Sequence, residues 1–220
     1  MKKSFFTLLF SFCALFSIAQ VDVDDSFTLE IGLPNNFSNV PNKTIMQGLI
    51  CVSPSYQYAF KSGLAIGVGL HYTYFNINQF RVTEKVFGGI HNGAAYVKIG
   101  HEKFWGDLFG TDFGVKLGYL ESFANTNLLR EQGMQFKRTQ AFYIEPTMAF
   151  ILASDVNASF RLTVSYPFYG YSFSPELIGV STSLGYTADQ ISKTNSALTV
   201  GFGYTRYFNG KKSASGGDDE

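Results

Sequence analysis

Seven charged side chains fall on the polar side of stretches in which apolar and polar residues alternate. They are Glu30, Lys98, Glu102, Asp112, Lys116, Glu145 and Arg161. Carboxylates and cations that share a narrow interior can neutralise one another through charge-assisted hydrogen bonds. The set supports two hypotheses. We favour a network of salt bridges that fills the interior enclosed by these stretches. The alternative is a gated pore that opens when the charged residues exchange their salt-bridge partners.

Residue types that serve catalysis or cofactor binding give no comparable pattern. An acyl-transfer triad needs a histidine beside a serine and a carboxylate, and the sequence has 3 histidines. His71 is predicted on the polar face without an evident serine partner, and His91 is predicted in a long loop. His101 is predicted to point outward with Lys103 near a strand end. No metal-ligand spacing, phosphate loop or nucleotide motif is present. We therefore predict no catalytic residue, no cofactor and no metal site.

The element that positions these charges is a β-strand, and residues 64–74 (LAIGVGLHYTY) show it most clearly. Apolar or aromatic side chains occupy every even position, and small or polar residues occupy every odd position. A period of two places the apolar side chains on one face of a strand. The stretch is long for a strand of a soluble domain, and it matches the about 9–11 tilted residues that cross a bilayer.

Eight stretches with this alternation are predicted as strands. They are residues 26–33, 48–60, 64–74, 95–104, 109–119, 142–152, 160–168 and 198–208. In the fourth stretch Lys98 is predicted to face inward, because a lysine at mid-membrane costs about 2–4 kcal/mol. Proline cannot donate to a strand ladder, so bulges are predicted at Pro54 and Pro146.

The predicted connections alternate between long loops and short turns. The long loops are residues 34–44, 76–92, 122–140 and 170–195. Within the last loop, residues 176–180 and 184–186 are predicted to continue the strands. Bacterial outer-membrane barrels have short periplasmic turns and long extracellular loops, and the same asymmetry is expected here.

The ends of the chain predict export. Residues 1–19 begin with Lys2 and Lys3, continue with an apolar run and end in Ser-Ile-Ala, which is typical of a cleaved secretory signal. Residues 20–208 are then one barrel domain, and 209–220 are a predicted disordered tail. The chain has 17 basic and 17 acidic residues, so losing two lysines leaves it slightly acidic. We expect no nucleic-acid partner.

Composition indicates which side of the barrel is apolar. Aromatic residues make up 17% of the chain and charged residues only 15%, and no mature segment is apolar enough for a transmembrane helix. A soluble lipocalin-type barrel would have to place the rows of Phe, Tyr and Leu in a narrow lumen. The reverse arrangement leaves small residues inside and aromatics against lipid. The predicted fold class is therefore all-β: an eight-stranded antiparallel up-and-down transmembrane β-barrel.

The sequence resembles the small outer-membrane β-barrel family of Bacteroidota, and also the eight-stranded outer-membrane proteins A, X and W of other Gram-negative bacteria. The resemblance rests on the FSIAQ signal end, the alternating strands and the closing LTVGFGYTRYF, and it covers residues 20–208. It implies a location in the cell outer membrane. It also implies recognition by the barrel-assembly machinery through Phe202, Tyr204 and Phe208. Arg206, at a position that is usually apolar, departs from that signal.

Long loops on a rigid barrel are where function would reside, so we predict a structural or surface-binding role exerted through the extracellular loops. The loops around Phe80, Arg81, Phe87 and His91 and around residues 130–138 mix aromatic and charged residues. The alternatives are a narrow pore for small solutes and, less favoured, a lipid-modifying enzyme, since such barrels include lipid A deacylases and palmitoyltransferases. The expected partners are outer-membrane lipid, lipopolysaccharide and the assembly machinery, with an unidentified extracellular ligand. The expected oligomeric state is a monomer.

Overall fold

The computed structural model describes residues 24–180 and 184–208. The predicted signal (1–19) and the predicted tail (209–220) lie outside the described residues. The strands form one antiparallel sheet. They are β1 (Ser26–Asn36), β2 (Met46–Ala59), β3 (Leu64–Ile77), β4 (Gly88–Phe104), β5 (Phe109–Thr126), β6 (Lys137–Asp155), β7 (Ala158–Ser165), β8 (Phe168–Ser172) and β9 (Thr194–Tyr207).

The sheet closes into a barrel because its first and last strands pair along the full length of β1. Ser26 lies opposite Tyr207, and Asn36 lies opposite Ala197. Along the rest of the sheet, each strand pairs with the next in the chain, apart from the division of one strand into β7 and β8. This up-and-down connectivity closes the described strands on one another, which protects strand edges from aggregation.

That division occurs at Tyr166 and Pro167, opposite Pro146 of β6. The Pro146 carbonyl accepts a hydrogen bond from the Tyr166 amide at 3.0 Å, but the proline nitrogen has no proton to return. β8 then resumes the β7 register, with Phe168 opposite Ile144. The two segments are one barrel strand, so the predicted eight-stranded antiparallel barrel is confirmed.

The predicted bulges at Pro54 and Pro146 are wrong. Pro54 pairs in unbroken register with β1, and Pro146 does so with β5. On the β3 side, the Ser53 hydroxyl donates to the Leu70 carbonyl at 3.1 Å. This side-chain bond supplies the donor that the neighbouring proline lacks, and the strands stay in register.

The two ends of the barrel differ in structure. At one end, which we call the short-turn end, residues 60–63, 105–108 and 156–157 connect the strands. The other end, the long-loop end, carries short helices. They are α1 (Val40–Ile45), α2 (Asn127–Glu131), α3 (Ala188–Ser192) and two 3-10 turns at Gln79–Arg81 and Pro175–Ile178. Within the described chain, no helix has the length and apolar character needed to cross a membrane.

Several strands run farther toward the long-loop end than the sequence predicts. β3 continues to Ile77 and β5 to Thr126, and β4 begins at Gly88, so the long loops are shorter than predicted. In these extensions the alternation inverts: Phe75 and Ile77 point inward and are buried. Apolar residues inside and polar residues outside are the pattern of a soluble barrel. A prediction that expects apolar residues on the outer face therefore does not detect these extensions.

The last long loop also departs from prediction. Residues 176–180, predicted to extend a strand, lie largely in the 3-10 turn Pro175–Ile178, which ends at Gly179 with a φ of 88°. Of residues 184–186, Leu184 has a φ of 52°, which is incompatible with a strand. The connection folds back over the barrel mouth instead of rising from it.

Over the rest of the barrel, the exterior is apolar as predicted. Outward positions of the central strands are exposed aliphatic residues, such as Val68, Leu70, Val97, Ile99 and Leu117. Aromatic residues cluster at two levels. Phe60, Trp105, Phe160 and Phe208 lie near the short-turn end, and Tyr72, Tyr119, Phe142 and Phe168 lie toward the long-loop end. An aliphatic band between two aromatic girdles is the exterior of a membrane barrel.

A compact apolar cluster fills the interior at the long-loop end, and we call it the apolar cap. Its buried members include Ile45, Met46, Phe75, Ile77, Val86, Ile90, Leu120, Leu129, Tyr169, Phe173, Ile178 and Val180. They come from strands, helices and the last loop together. The sequence predicted solvated loops at the long-loop end, and the apolar cap was not predicted.

Candidate functional site

Below the apolar cap, the barrel interior contains a closed circuit of polar side chains, which we call the charged ring. Lys98 Nζ contacts Asp112 and donates to Gln57 Oε1 at 2.9 Å. Gln57 donates to Glu102 Oε2 at 2.8 Å. Arg161 completes the circuit by donating to Glu102 Oε2 and Asp112 Oδ2, each at 2.6 Å. The ring spans β2, β4, β5 and β7 and balances two cations against two carboxylates.

The strand register explains why these residues need one another. Glu102 lies directly opposite Asp112 on the adjacent strand, and Lys98 lies opposite Lys116. Like charges in facing positions destabilise a sheet. Arg161 reaches across the lumen from β7 and bonds both carboxylates, while the two lysines turn toward different acids. The repulsions that the register creates are therefore resolved by contacts across the interior.

A second set of charges lies nearer the apolar cap, and we call it the upper cluster. Lys116 Nζ is 3.2 Å from Glu30 Oε2 and 3.2 Å from Glu145 Oε2. The Tyr143 hydroxyl donates to Glu145 Oε2 at 2.5 Å, and the Thr163 hydroxyl donates to Glu30 Oε1 at 2.9 Å. The cation is shared by two carboxylates whose other bonds come from neutral donors, so the cluster carries one excess negative charge.

Little free space remains between these groups. A cavity of about 10 Å³ lies beside Glu30, His71, Lys116, Glu145 and Thr199, which is room for roughly one water molecule. The Nδ1 atom of His71 and the hydroxyl oxygen of Thr199 are buried there without a hydrogen-bond partner among the described residues. Side chains fill the lumen at this level, as eight-stranded barrels permit.

His71 contacts groups that superficially resemble a catalytic triad. Its Nε2 is 2.6 Å from the Thr73 hydroxyl, and its Nδ1 is 3.9 Å from Glu145 Oε2. The second distance is too long for a hydrogen bond. Thr73 is completely buried and lies beneath the apolar cap, so no substrate can reach its hydroxyl. The arrangement can orient the imidazole but offers no accessible nucleophile.

The structure brings all seven of the predicted lumen charges into the interior, distributed between the charged ring and the upper cluster. Sequence reasoning missed the neutral partners of these charges, among them Gln57, Tyr143 and Tyr207, whose hydroxyl donates to Glu102 Oε1 at 2.6 Å. All three occupy inward positions of predicted strands. A search for polar tips on the inward face, rather than for charges alone, could have found them.

Other predicted positions need correction. His91 is not in a loop, because β4 begins at Gly88, and its Nδ1 is 2.7 Å from the Tyr72 hydroxyl on the barrel exterior. Lys103 does not extend to the surface as predicted. It is buried, with its Nζ 4.4 Å from the ring centroid of Trp105. The ammonium of this lysine therefore makes a cation–π contact with an aromatic residue of the girdle.

The residues predicted to be recognised during assembly lie away from the charged interior. Phe202, Tyr204 and Phe208 lie on the outer face of the closing strand and are exposed. Their recognition by an assembly machinery stays a prediction. Among the described residues, no group of three or more His, Cys, Asp or Glu side chains is arranged to hold a metal ion.

Two of the long loops are joined by one residue, Asn127 at the start of α2. Its Oδ1 accepts from the Phe87 amide at 2.7 Å, and its Nδ2 donates to the Lys85 carbonyl at 3.0 Å. Its own amide donates to the Phe87 carbonyl at 3.0 Å. Residues 78–87 and 127–138 therefore form one continuous surface, which we call the two-loop surface. Phe80 at its tip is 98% exposed.

Comparison with known proteins identifies the fold. No protein-family model and no curated protein matches the chain in sequence. Neisserial surface protein A aligns with a TM-score of 0.54 at 10% identity, over 84% of this chain and 97% of that one. The outer membrane protein OprG of Pseudomonas aeruginosa aligns with a TM-score of 0.53 at 11% identity, over 86% of this chain and 99% of that one. The structural neighbours of this chain are outer-membrane β-barrels.

Proposed function

We propose that the chain is a non-catalytic, integral outer-membrane barrel with a closed lumen that acts through the surface of its long loops. The observation that carries this proposal is the double obstruction of the interior. The charged ring crosses the lumen toward the short-turn end, the upper cluster crosses it above the ring, and the apolar cap covers both. A solute would have to break buried ion pairs and also displace a packed apolar core.

The location and partners follow from the same reasoning. An aliphatic exterior between aromatic girdles fits the outer membrane of a Gram-negative bacterium, with the short turns in the periplasm and the long loops outside. The family resemblance suggests a bacteroidotal source. Assembly through the closing strand, contact with lipopolysaccharide and a monomeric state belong to the same proposal.

The two-loop surface is the best candidate for binding because it combines exposed aromatic side chains with positive charge. Phe80, Phe87 and Phe136 are exposed. Basic residues (Arg81, Lys85, Arg130, Lys137 and Arg138) outnumber acidic ones (Glu84 and Glu131). Packing of the barrel does not require large apolar side chains in water, whereas interfaces favour aromatics and arginine. An anionic polymer at the cell surface is the ligand class that this surface suits.

Single-channel recording in a planar bilayer tests the closed lumen. We expect no conductance from refolded protein whose folding is verified by heat-modifiable migration. Discrete steps from the unmodified protein, altered by Lys116→Ala or Glu145→Ala, would instead support the pore. Binding is tested by comparing cells that display the full chain with cells that display Phe80→Ser/Phe87→Ser. We expect retention on dextran sulfate, but not on neutral dextran, to fall in the variant.

A further inference from the structure

The exterior of the barrel has a groove on β4, just below the level of the loops. Gly93 and Ala95 form its floor and point outward. Tyr72 and Glu121 flank Gly93 on the two neighbouring strands, and Leu70 and Tyr119 flank Ala95. Because the floor residues have small side chains or none and the flanking residues have large ones, the surface is concave along this strip. The groove has a volume of about 820 Å³.

The groove is open space, not a site of close backbone packing. A Cβ atom built on Gly93 would meet no heavy atom within 4 Å. By contrast, a Cβ on the inward-facing Gly69 would lie 2.5 Å from the Tyr96 hydroxyl. Gly93 is therefore not required for barrel packing. Toward the short-turn end, Val97 and Ile99 restore side chains to the same face, so the groove is bounded along the strand.

Polar groups gather at the upper end of the groove. Glu121 contacts Arg138 and accepts from the Tyr119 hydroxyl at 3.4 Å and from Gln140 Nε2 at 3.4 Å. Arg138 also lies over the ring of Phe123, with its Cζ 6.0 Å from the centroid. Its side chain is 49% exposed. A guanidinium has five N–H donors, so Arg138 can bond Glu121 and still donate to a phosphate.

We propose that this groove binds one outer-leaflet lipid with a phosphate-bearing headgroup, whose acyl chain lies over Gly93 and Ala95 and whose phosphate contacts Arg138. The inference rests on the proposed membrane location and deepens it. The apolar strip belongs to the face that meets hydrocarbon, and the charged rim lies at the girdle level where headgroups begin. A lipid has both parts in this order. An apolar segment of a protein partner would offer no acceptor to the guanidinium donors that Glu121 does not use.

Filling the groove tests the proposal. The full chain and a Gly93→Phe variant are extracted from membranes in mild detergent, exchanged into the same detergent with added lipid A, and examined by native mass spectrometry. We expect one retained lipid A per barrel, with about tenfold weaker binding in the variant. A Val97→Phe variant adds the same side chain on the same face outside the groove, and it should bind normally. Equal binding by all three proteins, or a graded series of adducts without a preferred single one, would overturn the proposal.

A second experiment tests the contact between Arg138 and the phosphate of the headgroup. Dephosphorylated lipid A should bind the full chain about as weakly as lipid A binds Arg138→Gln. Normal binding of both would refute the phosphate contact. A retained protein subunit in place of lipid, lost in Gly93→Phe, would assign the groove to a protein partner. Heat-modifiable migration and membrane fractionation, measured in parallel, report on the proposed function. A barrel that folds and fractionates normally but retains no lipid refutes the groove alone.

Discussion

The Arg161 guanidinium donates to the Glu102 carboxylate at 2.6 Å across the interior of the barrel, although the residues are 59 positions apart in the chain. Both side chains are almost completely buried. A buried ion pair contributes little net stability by itself, because desolvation offsets the attraction. Its importance lies in what remains when one partner is lost. Here the arginine also neutralises Asp112, so its removal affects two buried carboxylates.

We expect Arg161→Ala to lower the free energy of unfolding by about 3–5 kcal/mol, because it leaves buried charge uncompensated. Guanidinium unfolding in lipid vesicles, followed by tryptophan fluorescence, measures this change. Arg81→Ala, in an exposed loop turn, is the matched control and should have little effect. Adding Glu102→Gln to Arg161→Ala should recover part of the loss. An equally unstable double variant would mean that lost packing, not uncompensated charge, is responsible.

Two glycines on neighbouring strands should respond oppositely to one added methyl group. In Gly69→Ala, the new Cβ would lie 2.5 Å from the Tyr96 hydroxyl and 2.7 Å from the Pro54 carbonyl oxygen. Overpacking of this kind typically costs about 1–3 kcal/mol. Gly93→Ala adds the same atom in open space and should leave the unfolding midpoint unchanged or slightly higher. If the two variants unfolded alike, the assignment of inward and outward faces on β3 and β4 would be wrong.

The apolar cap should contribute more to stability than the exposed aromatics above it. Phe173 is completely buried in the cap, whereas Phe80 is 98% exposed. Phe173→Ala should cost about 3–5 kcal/mol through lost burial and the cavity left behind. Phe80→Ala should change stability by no more than about 0.5 kcal/mol. Amide hydrogen exchange separates local from global effects. Unchanged protection of the last loop in Phe173→Ala would show that the cap is not a cooperative part of the fold.

Alternation in the sequence is a sufficient guide to the membrane-facing part of the barrel. There the outward residues meet hydrocarbon and the inward ones meet other polar groups, so each strand has one apolar and one polar face. The same rule placed Lys98 correctly, since the opposite phase would put its charge in lipid. Inward placement of charges therefore follows from energy and period together.

The predictions from sequence were wrong where the surroundings of the barrel exterior change from lipid to water. From the outer girdle upward, Phe75 and Leu120 point inward, while Glu121 and Gln140 of neighbouring strands lie on the outer face. A prediction that requires apolar residues on the outer face ends the strand where this pattern inverts, although the strand continues. The pairings within the lumen also escaped prediction, because they depend on which strands face each other across the barrel. Arg161 and Glu102 are an example.

The last prediction tests whether the exterior meets hydrocarbon. Val97 points outward in the aliphatic band and lies opposite Val68 and Leu117, while the adjacent Lys98 points inward. A lysine at a lipid-facing midplane position costs about 2–4 kcal/mol, and near the interface about 0–1 kcal/mol. Val97→Lys should therefore destabilise the barrel in lipid vesicles much more than Leu108→Lys in the short turn. In a water-exposed barrel, both substitutions would be nearly neutral, because Val97 would already face solvent. Equal small effects would thus refute a membrane exterior without any assumption about the loops or the lumen.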